Sequence, residues 1–176
     1  NSEVPAKVVA QRLGAKALAA ANLNVTSSKQ ILFGDFHVHT TFSNDAYTAA
    51  MPIMGGEGSQ PPADACDYAR YCSALDFWSI NDHAVSLSSK RWQETKDSIR
   101  QCNAVTDPAN PDVVAFLGFE WTHANPATAS KHWGHKNVIY KSIEEENVAA
   151  RPVYAEAELG PSAFNAPFID RALLAL

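Results

Sequence analysis

Histidine and carboxylate side chains alternate in the stretch Asp35-Phe36-His37-Val38-His39. Alternate residues of a β-strand share a face, so Asp35, His37 and His39 are predicted to point one way, and Phe36 and Val38 the other. Two imidazoles at this spacing can hold one metal ion, while a neighbouring carboxylate orients or supplements them. An H-x-H pattern also occurs without a metal, so the prediction depends on what other strands contribute.

The same residue types recur where the other predicted strands end. Residues 75–80 run directly into Asn81-Asp82-His83, and residues 113–121 carry Glu120 near their end. The carboxyl ends of parallel strands meet at one edge of a sheet, which is where sites of α/β proteins lie. If the strand after residue 135 returns antiparallel, its start lies at that edge too. The predicted metal ligands are His37, His39, Asp45, His83, Glu120 and His135.

The order of predicted elements indicates an α/β fold. A helix over 4–21 and a polar linker over 22–29 precede the strand at 31–38 and a loop over 44–60. A helix from Pro61, a strand at 75–80, a helix over 89–105 and a strand at 113–121 follow. Alternating strands and helices favour a parallel sheet with right-handed crossovers. The segment between residues 121 and 135 has no helical period, so residues 136–140 are expected either to return antiparallel or to enter from a long active-site loop. Residues 160–176 read as the start of another helix.

The composition limits the class of protein. The chain has 176 residues, 46% of them hydrophobic and 19% charged, and a net charge of -5. These values predict one globular domain and argue against a nucleic acid as the main partner, because no cluster of Lys and Arg is present. No segment predicts a transmembrane helix or a signal peptide, so we expect no membrane partner and leave the compartment open between cytoplasm and periplasm. The three cysteines show no metal spacing and are expected to be buried free thiols.

A ligand set of nitrogen and oxygen atoms without thiolate suits Zn, Mn or Fe. Six ligands exceed what one ion needs, so two or three divalent ions are expected. Such a cluster lowers the pKa of a bound water and clamps the oxygens of an in-line displacement, chemistry that phosphate ester hydrolysis uses. The chain lacks the G-x-S-x-G elbow, and it has neither a Walker nor a dinucleotide glycine pattern.

Four motifs in order resemble the polymerase and histidinol phosphatase (PHP) superfamily. They are Asp35-x-His37-x-His39-Thr40 with Ser43 and Asp45, then Asn81-Asp82-His83, then Gly118-Phe119-Glu120, then His135. The first is most similar to the G-D-x-H-x-H-T-x-x-S-x-D-A motif of a large PHP-like family. Residues 31–141 carry the resemblance. It implies a distorted seven-stranded TIM-like (β/α) barrel with a trinuclear site and a phosphoesterase that uses a metal-bound hydroxide on a small anionic phosphoester.

The resemblance also implies roles for single residues. His37 and His39 would bind the first ion, and Glu120 would bridge it to a second ion held by His135. Asp45 and His83 would hold the third ion. In many members of the superfamily a histidine stands at the position of Asp45. Asp82 and Asp35 are the residues assigned to support the chemistry, each by orienting a ligand.

The later motifs of the superfamily have no counterpart, since no histidine follows His135. About four of seven strands are predicted, so residues 1–30 are interpreted as a helix and linker and residues 31–176 as the N-terminal half of a PHP-like domain. The remaining C-terminal part of the protein, or another chain, would complete it. Two alternatives stay open: hydrolysis of another ester or an amide, and a metal-binding module without catalysis.

Several polar residues near these motifs match none of them. His123 and His132 are expected at the solvent or substrate rim, and Trp121 and Trp133 are expected to wall a pocket, pack in the core or anchor the loop. Lys131 and Lys136 are expected to be solvated. The acidic run Glu144, Glu145 and Glu146 is expected to be an exposed helix start.

Overall fold

The computed structural model describes residues 4–24, 31–109, 111–123 and 134–154, which form a mixed α/β fold. The α-helices in the described ranges are α1 (Ala6–Asn22), α2 (Asn44–Ala50), α3 (Pro62–Asp67) and α4 (Ser89–Ala104). The strands in the same ranges are β1 (Gly34–Val38), β2 (Phe77–Ile80), β3 (Val114–Phe116), β4 (Gly118–His123) and β5 (Gly134–Ile139). Short 3-10 turns lie at Pro52–Met54, Ala84–Ser86 and Glu145–Asn147, and a π turn at Tyr68–Cys72 follows α3. The predicted helix at 160–176 lies outside the described residues.

The strands form two small sheets that meet at the carboxyl end of β2. Strands β1, β2 and β3 pair in parallel in that order, as the alternation of elements predicts. Strands β4 and β5 pair antiparallel over their full length, which confirms the returning strand. A parallel bridge between His83 and Glu120 joins the two sheets. Among the described residues no closed barrel forms, so the class α/β is confirmed in its coarse form.

The predicted strand at 113–121 is divided at Leu117 into β3 and β4. At Gly118 the chain passes between two backbones, because a Cβ there would lie 2.8 Å from the carbonyl oxygen of Ile80 and 2.7 Å from that of Val138. A larger residue would push β4 away from both neighbours. Gly118 thus keeps Glu120 close to the end of β2.

One face of the parallel sheet is covered by α3 and α4. Trp78 and Ile80 of β2 are fully buried and belong to one apolar core with Trp92 and Ile99 of α4. Ser88 caps α4 by accepting a hydrogen bond from the amide of Arg91 at 3.3 Å. The helix therefore begins where predicted and holds the strand whose end carries Asp82 and His83.

The opposite face carries aromatic side chains. The ring centroid of Phe36 lies 4.7 Å from that of Phe77 and 5.6 Å from that of Phe116. Phe36 is 45% exposed, and none of the three rings belongs to the buried core. The described part of the chain thus leaves an aromatic sheet face partly open to solvent.

The prediction that side chains alternate strictly between the two faces along β1 is wrong. The register shifts between Asp35, opposite Trp78, and Val38, opposite Ile80, which is the geometry of a β-bulge. Phe36 therefore lies with Phe77 on the open face, whereas Val38 packs against the buried core. The bulge changes which way the chain presents its side chains just before His39.

The predicted loop at 44–60 is also wrong at its start, because α2 occupies Asn44–Ala50. Ser43 precedes the helix in extended conformation, and Asp45 lies in the first turn, where a carboxylate interacts favourably with the helix dipole. The helix fixes Asp45 beside the histidines. The rest of the segment, after the Pro52–Met54 turn, is irregular, as its glycines and prolines predict.

Two of the three cysteines form a disulfide, which corrects the prediction of free thiols. Cys66 of α3 and Cys102 of α4 are bonded, with their Cα atoms 6.1 Å apart, while Cys72 is free and exposed. Spacing along the sequence could not reveal this pair, because it depends on the packing of α3 against α4. The buried Arg70 lies beside the bond and contacts Asp112 at 2.9 Å.

Removal of this disulfide is expected to destabilise the domain. The bond closes a loop of 36 residues, and loops of that length contribute about 4 kcal/mol by restricting the unfolded chain. The double variant Cys66→Ser with Cys102→Ser should unfold at lower urea concentration, as measured by circular dichroism. Cys72→Ser is the matched control and should leave the midpoint unchanged. Equal midpoints for the double variant and the wild type would contradict the expectation.

The N-terminal helix α1 is attached mainly by charged side chains. Arg12 contacts Asp112 at 3.2 Å, and Lys16 contacts Asp76 at 2.6 Å. None of the residues of α1 is buried. The predicted helix at 4–21 is confirmed, and most of the predicted linker lies outside the described residues. No described helix has the length and apolar content needed to cross a membrane.

The acidic run is exposed as predicted, but it forms a short 3-10 turn rather than the start of a longer helix, and Glu145 pairs with a buried lysine. Lys96 is 3% exposed, and its ammonium contacts the Glu145 carboxylate, which also lies 2.7 Å from Arg100. The hydrogen bonds from Lys96 and Arg100 lower the pKa of Glu145. A lowered pKa in the folded state stabilises the fold above the ordinary value near 4.5, and this stability is lost as the pH falls through the lowered pKa.

Glu145→Gln is therefore expected to lower Tm at neutral pH, because the buried Lys96 loses its counter-charge. The Tm difference from wild type should begin to shrink as the pH falls below 4.5. It should disappear once the pH is below the lowered pKa of Glu145 and the carboxylate of the folded wild type is protonated. Thermal unfolding at a series of pH values measures both effects. Glu146→Gln is the matched control, since Glu146 is exposed on the same turn. A Tm difference that does not vary with pH would contradict this assignment.

Candidate metal centre

The site is built around the buried carboxylate of Glu120, which is 1% exposed. Its Oε2 lies 2.9 Å from Nε2 of His39, 3.4 Å from Nδ1 of His83 and 3.7 Å from Nε2 of His37. Its Oε1 contacts Nδ1 of His135. One carboxylate on β4 thus meets four imidazoles delivered by the end of β1, the end of β2 and the start of β5.

The structure brings all six predicted ligands together in three overlapping groups. The ligand atoms within each group lie within 4.8 Å of one another. Among the described residues no other His, Cys, Asp or Glu joins such a group. The groups are His37, His39 and Glu120 (group 1), His39, Asp45 and His83 (group 2), and His83, Glu120 and His135 (group 3).

The three groups share ligands, which limits how they can be filled. A neutral imidazole offers one lone pair, so His39 can serve group 1 or group 2, and His83 can serve group 2 or group 3. The distances follow this division, since Nε2 of His83 lies 3.3 Å from Asp45 and Nδ1 lies 3.4 Å from Glu120. A carboxylate has two oxygens and can serve two ions. Groups 1 and 3 are therefore compatible with one another, whereas group 2 competes with both.

The unpartnered atoms of the site fit a cation. Within the part of the chain that the structure describes, Oε2 of Glu120 and Nδ1 of His39 are buried without a hydrogen-bond partner of acceptable geometry. A buried carboxylate oxygen that lacks a donor is costly unless a positive charge or a metal compensates it. The coarse prediction that His, Glu and Asp side chains could hold a metal ion is thus confirmed. The donor set of nitrogen and oxygen is the one that Zn, Mn and Fe accept.

Asp45 stands at the exposed edge of the site, with 63% of its side chain accessible. Partial burial raises the pKa of Asp45, but the amide of Ala46 and the nearby His83 and His39 together lower it below its ordinary value. The amide of Ala46 donates to Oδ1 at 2.7 Å. Asp45 thus presents a negative charge beside two imidazoles, as a cation ligand would.

Asp82 is buried behind the ligands and contacts none of them directly through its carboxylate. It accepts hydrogen bonds from the Thr40 amide at 2.6 Å, the Thr40 hydroxyl at 2.7 Å and the Ser43 hydroxyl at 2.9 Å. Ser43 in turn accepts from the amide of His83 at 2.9 Å. Burial raises the pKa of Asp82, although the hydrogen bonds from Thr40 and Ser43 oppose it. Asp82 therefore fixes the backbone on both sides of the site.

Asp35 lies apart from the three ligand groups. Its exposed carboxylate accepts a hydrogen bond from the amide of His37 at 2.8 Å. It therefore holds the backbone before His37, at the bulge of β1, rather than the imidazole ring. The rings of His37 and His39 stack, with centroids 4.9 Å apart.

Two further side chains support the imidazoles and were missed in the sequence. The hydroxyl of Thr122 lies 2.9 Å from Nδ1 of His83, and Nδ2 of Asn137 lies 2.9 Å from Nδ1 of His37. Both could have been found from the two-residue period of a strand, because Thr122 follows Glu120 by two residues and Asn137 follows His135 by two. Each lies on the face that carries the ligand.

His123, expected at the rim, and Lys136, expected to be solvated, lie on the other face of β4 and β5, where Trp121 packs against the core. His123 stacks on Trp121 with centroids 5.8 Å apart and joins none of the ligand groups. Lys136 lies over the Trp121 ring, 5.4 Å from its centroid. The predictions for Lys131, His132 and Trp133 fall outside the described residues.

In comparisons with known proteins, no family model matches the chain, and no curated protein or solved structure is significantly similar to it.

Proposed function

We propose that the chain is a metal-dependent hydrolase, and that its substrate is a small phosphoester. The observation that carries this proposal is the buried Glu120, whose two oxygens face four imidazoles and serve two compatible ligand groups. Two ions held a few ångströms apart by a shared carboxylate are typical of enzymes that hydrolyse phosphate esters.

The residues of the chain have distinct parts in this proposal. His37, His39 and Glu120 would hold one ion, and His83, Glu120 and His135 would hold the other. When bound, such ions lower the pKa of water and neutralise charge on the phosphoryl oxygens. The net charge of the chain is -5, so an anionic substrate has no general attraction to it and would depend on local positive charge at this site.

Asp45 and Asp82 complete the assignment. Asp45 would hold an ion with His39 and His83 in group 2 only where group 2 replaces groups 1 and 3, and otherwise it would supplement the ligands from the exposed edge. Asp82 would keep Thr40, Ser43 and the amide of His83 in place. This division agrees with the resemblance to the PHP superfamily except at His83, which the resemblance pairs with Asp45, and we retain the resemblance as part of the proposal.

The finer architecture is also a proposal. We propose that β1 to β4 are the first part of a distorted PHP-type barrel. The support is the aromatic face of Phe36, Phe77 and Phe116, which stays partly open although the other face is fully covered. In a closed barrel such a face is interior and filled by side chains from further strands.

Metal analysis and a substrate panel test the function. Purified protein loaded with Zn²⁺ or Mn²⁺ is expected to hold two ions and to hydrolyse phosphomonoesters or diesters. His39→Ala should lose at least one ion and the activity, whereas His123→Ala, on the other face of β4, should retain both. Turnover of only sulfate esters, phosphonates or amides would change the substrate class. Bound metal without any turnover would support the non-catalytic module, and absence of metal would refute the proposal.

We further propose that the domain works in an oxidising compartment, which favours the periplasmic alternative. The support is the bond between Cys66 and Cys102, because disulfides persist mainly outside the reducing cytoplasm. In the test, cells that naturally produce the protein are quenched with acid, their free thiols are alkylated, and mass spectrometry identifies which cysteines carry the label. Labelling of Cys72 alone is expected, and labelling of all three cysteines would contradict the proposal.

A further inference from the structure

Asn137 connects β5 to β1 across the centre. It pairs with Glu120 in the register of β4 and β5, so both side chains lie on the ligand face. Its Nδ2 lies 3.1 Å from the carbonyl oxygen of Phe36 and 2.9 Å from Nδ1 of His37. A carbonyl oxygen can only accept, so the NH₂ end of the amide must face Phe36. The second hydrogen of that NH₂ group is then available to His37.

This contact decides which nitrogen of His37 carries the proton. A neutral imidazole has one N–H and one lone pair, so accepting a hydrogen bond at Nδ1 requires the proton to be on Nε2. Nε2 is the atom that lies 3.0 Å from Nε2 of His39 and 3.7 Å from Glu120, within group 1. A protonated Nε2 has no lone pair for a cation. The contact with Asn137 thus keeps His37 as a donor rather than a ligand.

The other supporting contact in the site imposes no such choice. Nδ1 of His83 faces the hydroxyl of Thr122 at 2.9 Å, and a hydroxyl can donate or accept. Ligating histidines usually donate their second N–H to an oxygen, which fixes the lone pair toward the metal. Asp45 can play that part for His83 in group 3, because its Oδ2 lies 3.3 Å from Nε2 and can accept that N–H while Nδ1 keeps its lone pair. Asn137 can accept an N–H from His37 only if its side-chain amide rotates so that the oxygen faces Nδ1. That rotation breaks its hydrogen bond to the carbonyl oxygen of Phe36.

We propose that Asn137 is a positioning residue that selects the tautomer of His37 and thereby weakens group 1 relative to group 3. The proposal rests on the proposed function for its metal, although the tautomer itself is a property of the metal-free protein. It follows that group 3, with His83, Glu120 and His135, fills first. Group 1 fills second, with rotation of the Asn137 amide.

Asn137→Asp is the decisive variant, because a carboxylate can only accept. It should move the proton of His37 to Nδ1 and direct the lone pair of Nε2 into group 1. Long-range ¹H–¹⁵N correlation spectra of the metal-free protein, at a pH where the imidazoles are neutral, report the tautomer directly. His37→Gln assigns the signals. We expect the Nε2–H form in the wild type and the Nδ1–H form in Asn137→Asp.

Zinc titration measures the consequence. The second Zn²⁺ ion should bind about tenfold or more tightly to Asn137→Asp, the size of effect seen when the partner of a ligating histidine changes. Val138→Asp adds the same charge at the next, partly exposed position of β5 and should not tighten the second ion. Asn137→Leu removes the donor and should leave both tautomers of His37 populated.

The inference is overturned if His37 of the wild type is already in the Nδ1–H form, or if Asn137→Asp changes neither the tautomer nor the second binding step. It is equally overturned if Val138→Asp tightens the second ion as much, because charge alone would then explain the effect. A tautomer that switches in a protein that binds no Zn²⁺ would count against the proposed function and leave tautomer selection by Asn137 supported.

Discussion

Glu120→Gln is expected to remove both metal ions while leaving the metal-free fold intact. Glu120 is the one residue common to the two compatible ligand groups, so its loss affects both ions at once. Glutamine keeps the shape of the side chain but has a single acceptor oxygen and adds an NH₂ group that carries no lone pair for a metal. We expect the affinity for Zn²⁺ to fall by about a hundredfold or more, in line with the loss of a charged, buried partner.

The effect of Glu120→Gln on the unfolding free energy should differ between metal-free and zinc-loaded protein. In chelator, wild type buries a carboxylate whose Oε2 lacks a hydrogen-bond donor among the described residues, so Gln should leave the unfolding free energy unchanged or slightly higher. With zinc present at a hundred times its Kd, each bound ion adds about 2.7 kcal/mol to the wild type, and the variant should lack this gain. Thermal unfolding with and without Zn²⁺, together with elemental analysis, measures both.

Glu94→Gln is the control for this experiment, since it removes the same charge from an exposed position of α4. It should bind metal like the wild type. A Glu120→Gln protein that still holds two ions would contradict the assignment of Glu120 as the shared ligand. A large loss of stability already in chelator would instead mean that Glu120 serves the fold.

The site was more predictable than the backbone around it. The ligand types stand at strand ends, and parallel strands bring their ends to one edge, so His37, His83 and Glu120 could be expected to meet. The bulge in β1 could not be expected, because it depends on how Val38 fits beside Ile80 in the core. Local spacing therefore predicted which residues converge, and tertiary packing decided how each side chain faces its neighbours.

Two other differences have the same origin. The segment from Asn44 was predicted as a loop because glycines and prolines dominate its later part, although Ser43 and Asp45 are residue types common at helix starts. The Cys66–Cys102 pair joins residues that are distant in the sequence and are brought together only when α3 packs on α4. Neither the start of α2 nor the disulfide could be predicted from the residues next to it in the sequence. Both depend on how distant parts of the chain pack together.

The second large effect is expected at Asp82, where Ala and Asn should differ sharply. Asp82→Ala leaves the amide of Thr40 and the hydroxyls of Thr40 and Ser43 without their acceptor in a buried place. The loss should be about 3 kcal/mol of unfolding free energy, the usual size for a broken buried hydrogen-bond network. Because Ser43 also accepts from the amide of His83, metal affinity should fall about tenfold or more.

Asp82→Asn separates hydrogen-bond geometry from charge. The amide oxygen can accept from the Thr40 amide and the Ser43 hydroxyl, and the amide NH₂ can donate to the Thr40 hydroxyl, which is able to reverse its role. Burial raises the pKa of Asp82, so the fold already disfavours the ionised carboxylate, and a neutral side chain relieves that cost. We therefore expect Asp82→Asn to keep the wild-type stability in urea and its zinc affinity. If Asp82→Asn lowers the stability and the zinc affinity as much as Asp82→Ala, the negative charge of Asp82 is needed. Asp82 then acts on the ions through electrostatic attraction rather than by fixing Thr40 and Ser43.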